Sequence, residues 1–518
     1  MSTRSRLIVF VAVLASLLEI IDTSIVNVAL PTMMGNLGAT LEDISMVITG
    51  YAISNAIVLP LSAWLGERIG RRKYFLGCIT AFTVTSVACG LAPNLLTLII
   101  FRIFQGLMGG ALLPTSQTLI YEQFPKEKAG MAGAIFGMSV MIGPTLGPVL
   151  GGYLTDNFGW RSIFNINLPL GLLALFVGMI CIFDREKDGS PTASKELDVW
   201  GLVFLTLGVG CLQYVLERGE SEDWFSSAWI IVNTMTFTIC IPAFIWWELK
   251  VKNPIMNLRL FKNSVVTYGV LLMGSLGFFL YGAVFMLPIF VARTFHYDAT
   301  QTGQMFIPGS ILTALMMPFI GKQMQKGRDP KLLIFVGLVS IELCLYLMTR
   351  FSPQTTYQQL IAMLFVRGFA MAFLFVPINS SILSQFKGID LGQVAGMLNL
   401  FRQIGGSMGI ALIASLLAIN SHQNYLDLVS RISLLNPTTV QTYLQSQNGM
   451  AHKMTESVGL SSPMAATLKT LYYRIQNQVF MMSFIQLVWV IMFVFAFSFI
   501  ALWRIRFKAK TTVVLDAH

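Results

Sequence analysis

The sequence predicts an all-α integral membrane protein with two six-helix bundles, two further helices inserted between them, and both termini in the cytoplasm. Three observations carry this prediction. Of 518 residues, 55% are hydrophobic and only 12% charged, well above the roughly 45–50% apolar share of soluble domains. The apolar residues fall in blocks of about 20, the length of helix that crosses a ~30 Å hydrocarbon core. The cations, finally, collect in every second connection between blocks.

The blocks lie at about 7–30, 45–66, 74–92, 95–118, 131–153, 163–183 and 198–217, then 228–248, 265–291, 303–321, 332–349, 358–384, 391–419 and 479–503. Segment 7–30 is too long and too acidic for a cleavable signal, so it is expected to stay as the first span. Residues 1–185 hold six spans, 186–264 a charged linker and two extra helices, and 265–518 six more spans with an outward loop at 420–478. That loop, rich in Gln, Asn, Ser and Thr, reads either as a folded partner-docking element or as a flexible connection. Alternating ten-residue strands of an outer-membrane barrel are absent.

Of the 35 Lys and Arg residues, 24 lie on one side of this arrangement and eight on the other; Arg102, Arg367 and Arg402 lie inside spans. The positive-inside rule places the cation-rich side, with both termini, in the cytoplasm. The net charge of +10 is therefore topology and not a nucleic-acid footprint. All six cysteines fall in apolar blocks, which argues against disulfides and metal sites. There is no G-x-x-x-x-G-K-[ST] phosphate loop, and no catalytic histidine or serine pattern. No cofactor and no enzyme activity are expected.

In span one, "LEIIDTSIVNVALP" carries Glu19 and Asp22, and a carboxylate at mid-membrane depth costs on the order of 2.5–3.5 kcal/mol on insertion scales. At ~1.5 Å per residue, Asp22 comes out ~8 Å below the outer edge of the core, and Arg102 of span four ~10 Å below it. The two are level. Pairing favours the ionised carboxylate and burial the neutral one, so the pair reads either as a switchable proton site or as a static ion pair. Glu19 is a turn deeper on the same face and is a second candidate. Glu342, Arg367 and Arg402 lie near mid-depth in the second half. Glu342 and Arg402 read as structural charges, with Glu342 neutralising an arginine as one option.

A weak echo links the halves: "RIFQGLMGGALLPTSQTLI" from Arg102 and "RGFAMAFLFVPINSSIL" from Arg367. Paired halves put a substrate site at mid-depth between them. Asn27, Asn55, Gln105, Gln117, Arg367 and Asn379 are candidate cavity residues. So are Tyr268 and Tyr281 among the span-nine aromatics, which equally suit core packing. Trp224, Trp229, Trp246 and Trp247 sit at span ends as an interfacial belt would.

Two motifs remain. "AWLGERIGRRKYFL" offers Glu67, Arg68, Gly70, Arg71 and Arg72 as a latch at a cytoplasmic boundary, where an acid can also meet the positive end of a neighbouring helix. "GMSVMIGPTLGPVLGGYL" spaces Gly143, Gly147 and Gly151 four apart, with Gly152, Pro144 and Pro148 beside them. Such faces let helices approach closely, and the prolines bend the helix.

These stretches resemble the signature G-x-x-x-D-R-x-G-R-[RK] and the antiporter motif G-x-x-x-G-P-x-x-G-G of the major facilitator superfamily. Ala63 stands for the first Gly and Glu67 for the Asp. With "LEIIDTSIVNVALP", "RIFQGLMGGALLP", "GWRSIFNINLPLG" and "NLFRQIGGSMGIAL", nearly the whole chain resembles the fourteen-span drug:proton antiporters of the EmrB/QacA type, closest to the EmrB branch. The resemblance implies the major facilitator fold in a bacterial cytoplasmic (inner) membrane. It implies proton-driven export of amphipathic toxic compounds by alternating access, with Asp22, Glu19 and Arg102 handling the proton. It also implies a periplasmic adaptor and a TolC-type outer-membrane channel as partners. A dedicated exporter of an endogenous metabolite, such as a siderophore or fatty acid, is the first alternative, and a non-transporting receptor or assembly subunit the second.

Overall fold

The computed structural model of the protein describes residues 2–183, 198–295, 297, 299–431, 441, 444 and 463–505. Among these residues, fourteen helices are long and apolar enough to cross a membrane. In order they are α1 (Thr3–Leu37), α2 (Leu41–Ile69), α3 (Arg71–Gly90), α4 (Leu95–Glu122), α5 (Ala129–Phe158), α6 (Asn167–Cys181) and α7 (Val199–Arg218). There follow α8 (Ala228–Lys250), α9 (Ser264–Phe295), α10 (Ala299–Gln325), α11 (Pro330–Thr349), α12 (Tyr357–Leu383), α13 (Gly388–Arg431) and α14 (Pro463–Ala496). A short turn, Ser162–Asn165, precedes α6 and belongs to its span. The linker at 184–197 lies outside the described residues.

The helices overrun the apolar blocks because hydropathy marks what lipid surrounds, whereas capping marks where a helix stops. Thr40 and Asn94 accept the orphan backbone N–H groups of Asp43 and Thr97, and Thr356 with Gln359 forms a capping box on α12. Between α2 and α3 one residue, Gly70, turns the chain at φ +97°, a conformation that glycine adopts without Cβ strain.

Helices α1–α6 form one bundle and α9–α14 the other. They meet along two antiparallel seams, α5 on α10 and α2 on α13. In the first seam a Cβ on Gly130 would sit 2.7 Å from the Gly321 carbonyl oxygen, and one on Gly303 would sit 3.1 Å from Pro148. In the second, Gly396 packs on Leu59 and Gly392 on Ala63. Small residues let the backbones close up where lipid offers no hydrophobic drive.

The inserted pair has an unequal division of labour. Helix α8 is largely exposed, while α7 packs against α2 of one bundle and α13 of the other. Gln213 Nε2 and Ser407 Oγ both donate to Glu217 Oε1, at 2.9 and 2.8 Å. Arg218 Nη1 donates to Ser45 Oγ at 2.6 Å and to the Glu42 carbonyl at 3.1 Å. Trp224, at φ +52°, donates its indole N–H to Ser415 Oγ at 2.9 Å. It is a staple between the α7–α8 turn and α13, and Trp247 likewise donates to Asp198 Oδ1. Of the four tryptophans at span ends, Trp224 and Trp247 are thus tied into the fold, whereas Trp229 and Trp246 are 70% and 60% exposed.

The outward segment 420–478 differs from a loop at both of its ends. Helix α13 continues to Arg431 and α14 starts at Pro463. Asn424 Nδ2 bridges the two, donating to Ser483 Oγ at 2.9 Å and Gln486 Oε1 at 3.0 Å. Residues between them, apart from 441 and 444, lie outside the described set.

Candidate functional site

Three constellations lie within and between the bundles. The first is centred on Asp22, which is 0% exposed beside Arg102 at 1%. Arg102 Nη1 donates to Asp22 Oδ2 at 2.5 Å and to Gln105 Oε1 at 2.9 Å, and its Nε donates to the Val47 carbonyl. Gln105 Nε2 and Asn167 Nδ2 each donate to Asp22 Oδ1 at 2.9 Å. The Tyr51 ring covers the guanidinium at 4.1 Å. Three N–H donors thus meet the roughly four lone-pair sites of the carboxylate, and the bond from Arg102 is the charge-assisted one. Depth counting in the sequence found Arg102. It did not find Asn167, because the break at Ile166 sets the register of that amide.

Glu19 faces a different neighbour. Asn55 Nδ2 donates to Glu19 Oε1 at 2.9 Å, and the charge of Arg402 in the second bundle acts on it. The two acids of span one therefore belong to separate constellations, one inside a bundle and one at the seam.

The second constellation joins the bundles at the end that carries the basic connections. Gln117 Nε2 donates to Asn379 Oδ1 at 2.7 Å, and Asn399 Nδ2 donates to Gln117 Oε1 at 2.7 Å. Arg402 donates to Asn399 Oδ1 and, at 3.4 Å, to the Tyr281 hydroxyl. Ser380 Oγ donates to the Ala129 carbonyl. Together with the Gly130–Gly321 and Ala63–Gly392 contacts, these bonds close that end.

The third is a cavity of about 390 Å³ in the opposite half, between α1 and α5 on one side and α9, α10 and α12 on the other. Asn27, Pro144, Pro148 and Arg367 line it. Thr145 and Ser310 hydroxyls meet across it at 2.5 Å.

Of the eight candidate cavity residues, Asn27 and Arg367 line this space. Gln105, Asn55, Gln117 and Asn379 are not on its wall, because their amides satisfy other buried groups, as buried polar groups must. Tyr281 is spent on Arg402, and Tyr268 packs against the hydrophobic core. Among the described residues no arginine forms an ion pair with Glu342, and its Oε1 is buried without a hydrogen-bond partner.

The glycine motif is an intrabundle seam. A Cβ on Gly143 would overlap Ile20, and one on Gly147 would overlap Ser24. Ser24 Oγ donates to the Gly143 carbonyl at 3.3 Å. Gly151 meets Ile25, and Gly152 is buried. Both prolines stay within a continuous α5.

At the latch, Arg71 donates to both oxygens of Glu122, at 2.7 and 2.6 Å, so this cation braces α3 to α4 within one bundle. Arg72 donates to the Met179 carbonyl, and Arg68 lies over the Trp64 ring. The antiparallel pairing of Leu59 with Gly396 and Ala63 with Gly392 brings Glu67 level with Gly388, at the positive N-terminus of α13. Ala63 occupies the motif's first glycine position because Gly392 supplies the missing space. Glu122 was not singled out from the sequence; it ends a span and reads there as an ordinary boundary acid.

A profile of the Major Facilitator Superfamily matches residues 12–410. The chain is 35% identical to the Multidrug export protein EmrB of Escherichia coli (strain K12) over 434 residues, 83% of this chain and 84% of that one. It is also 35% identical to the Fatty acid resistance protein FarB of Neisseria gonorrhoeae, over 78% of this chain and 79% of the relative. The solved human organic anion transporter MFSD10 (TETRAN) superposes with a TM-score of 0.61 at 15% identity, covering 80% of this chain and 94% of that one.

Proposed function

The chain belongs to the major facilitator superfamily, and on that premise we propose that it is a proton-coupled exporter of amphipathic compounds, working by alternating access in a bacterial cytoplasmic membrane. Its relative EmrB is named a multidrug export protein, which supports broad cargo. The observation that carries the coupling is the Asp22–Arg102 pair, held by Gln105 and Asn167 on the helix whose next turn, at Ser24 and Asn27, lines the cavity.

With the basic connections in the cytoplasm, the conformation described is closed inward with its cavity in the outer half. A proton arriving on Asp22 from outside removes the charge that holds Arg102 and weakens that charge-assisted bond. This loosens α1 from α4 and disturbs the cavity wall at Ser24 and Asn27. Cargo leaves, the carrier turns inward, and the proton is lost to the cytoplasm as the pair re-forms. A pH gradient and the membrane potential, ~2.3 kcal/mol per charge per 100 mV, drive the cycle; no other cofactor takes part. Glu19, opposite Arg402, is a second proton site at the seam. Beyond the membrane, the α13–α14 hairpin is the place for a periplasmic adaptor leading to a TolC-type channel.

The test is substrate-induced proton release from purified protein, beside cargo uptake into proteoliposomes with an imposed pH gradient. Asp22→Asn is expected to abolish both. Proton release that persists unchanged in this variant overturns the coupling role, and the absence of gradient-driven movement of any compound overturns the export reading. The relative named for fatty acid resistance supports a second reading, a narrower exporter of such acids.

A further inference from the structure

Three arginines lie inside the spans, and they are not equally provided for. Arg102 has a carboxylate at 2.5 Å. Arg402 has two neutral acceptors and Glu19 across the seam. Arg367 has neither: its Nε, like that of Arg402, is buried without a hydrogen-bond partner, and no described carboxylate forms an ion pair with it. Its neighbours are the Phe306 ring, 5.7 Å from the guanidinium carbon, and the Cys344 thiol.

An acid is close at hand in register. Gly337 packs on Leu374, and the Cys344 thiol meets the Met363 carbonyl, so the antiparallel α11–α12 pair sets Glu342 level with Arg367. The two side chains nonetheless form no ion pair. Arg367 is on the cavity wall and Glu342 is not. Arg367 is only half-buried, its Nε sealed from solvent and the residue itself on the cavity wall, so an anion entering the cavity meets a cation with no counter-charge of its own.

The rest of the wall fits one kind of anion. Among the described lining residues Arg367 is the one formal charge, set in an apolar surround that includes Val28, Met141, Leu280, Leu364 and Met371. The carboxylates that would attract a cationic cargo are turned elsewhere and are not on the cavity wall: Asp22 accepts three donors, Arg102 among them, and Glu19 is bonded to Asn55.

We infer that Arg367 is the headgroup anchor of this cavity, and that the preferred cargo is an amphipathic organic monoanion, an apolar body bearing one carboxylate or similar weak-acid group. The inference rests on the exporter reading for the word cargo, but the anchor itself is an equilibrium property. A monoanion leaving while one proton enters moves two charges in the same electrical sense, so transport of such cargo responds to membrane potential more steeply than transport of a neutral compound.

The experiment measures equilibrium binding to the purified full-length protein in neutral detergent at pH ~8, where a free carboxylate is ionised. Three probes share one apolar body: laurate, dodecanol and dodecyltrimethylammonium. Laurate is expected to bind at least tenfold more tightly than either of the others. Arg367→Gln is expected to weaken laurate at least tenfold and leave dodecanol within twofold, while Arg367→Lys retains most of the laurate preference and reports on folding. Glu342→Gln is expected to change laurate binding less than twofold. Unchanged laurate binding in Arg367→Gln, or tighter binding of dodecyltrimethylammonium than of laurate by the unaltered protein, overturns the inference. So does a tenfold gain in Glu342→Gln, since it would mean that Glu342 had been holding the arginine. Laurate bound through Arg367 but never moved by a gradient would overturn the export reading and leave the anchor standing.

Discussion

Arg102 and Asp22 meet at 2.5 Å in a place where neither side chain reaches solvent. Removing one member of such a pair costs roughly 3–5 kcal/mol, because the other is left buried and uncompensated. Arg102→Gln is therefore expected to lower the melting temperature in detergent more than Asp22→Asn/Arg102→Gln does. A double-mutant cycle should show coupling well above the ~0.3–0.5 kcal/mol scatter of independent sites. If the two single losses simply add, the pair is not the structural unit described.

The glycine seam gives a prediction with a built-in opposite. Gly147→Ala places a methyl group on Ser24, so α1 and α5 must separate at a cost of about 1–3 kcal/mol. Gly77, in the middle of α3, has nothing within 4 Å of a Cβ, and Gly77→Ala is expected to be neutral or stabilising by up to ~1 kcal/mol. Thermal denaturation of both variants checks the sign. Equal effects would mean that the seam is not tight.

Arg71 and Glu122 are 31% and 12% exposed, and water screens such a pair. Its coupling energy should stay at or below ~1 kcal/mol and shrink with added salt. The measurement is a double-mutant cycle with Arg71→Gln and Glu122→Gln at two ionic strengths. A salt-independent value of several kcal/mol would assign this brace a larger structural share than its exposure allows.

The amide bridge of Gln117 with Asn379 and Asn399 crosses from one bundle to the other. Gln117→Ala leaves Asn379 Oδ1 without its partner, at a cost of about 1–3 kcal/mol, while Asn399 Nδ2 keeps only the Ala395 carbonyl, and it biases the protein against the closure it now shows. Spin labels at the exposed positions Lys128 and Lys326 should report a longer mean separation in this variant. An unchanged distance distribution would show that the glycine contacts hold this end unaided.

The sequence carried the architecture well for a physical reason. Lipid imposes a hydropathy threshold on every span, and counting residues converts directly to depth in a helix, which is why Asp22 and Arg102 were found level before any contact was known. Side-chain azimuth is harder to read. Gln105, Gln117 and Asn379 suit a cavity by polarity, whereas each is used up in a bond to a side chain 83 to 282 positions away. Residues 420–431 read as loop because a helix standing in water has no apolar block to announce it.

Helix α13 is 44 residues long, on the order of 66 Å at 1.5 Å per residue, about twice the thickness of the ~30 Å hydrocarbon core. It is also the helix that pairs with α2 at one seam, and through Asn424 it is bolted to α14 beyond the span. A rigid rod rooted in a moving bundle works as a lever. A tilt that shifts the seam by a small amount becomes a sweep of several ångströms at the far tip. A partner seated on that tip would receive a mechanical report of each turnover, without any small molecule passing between them.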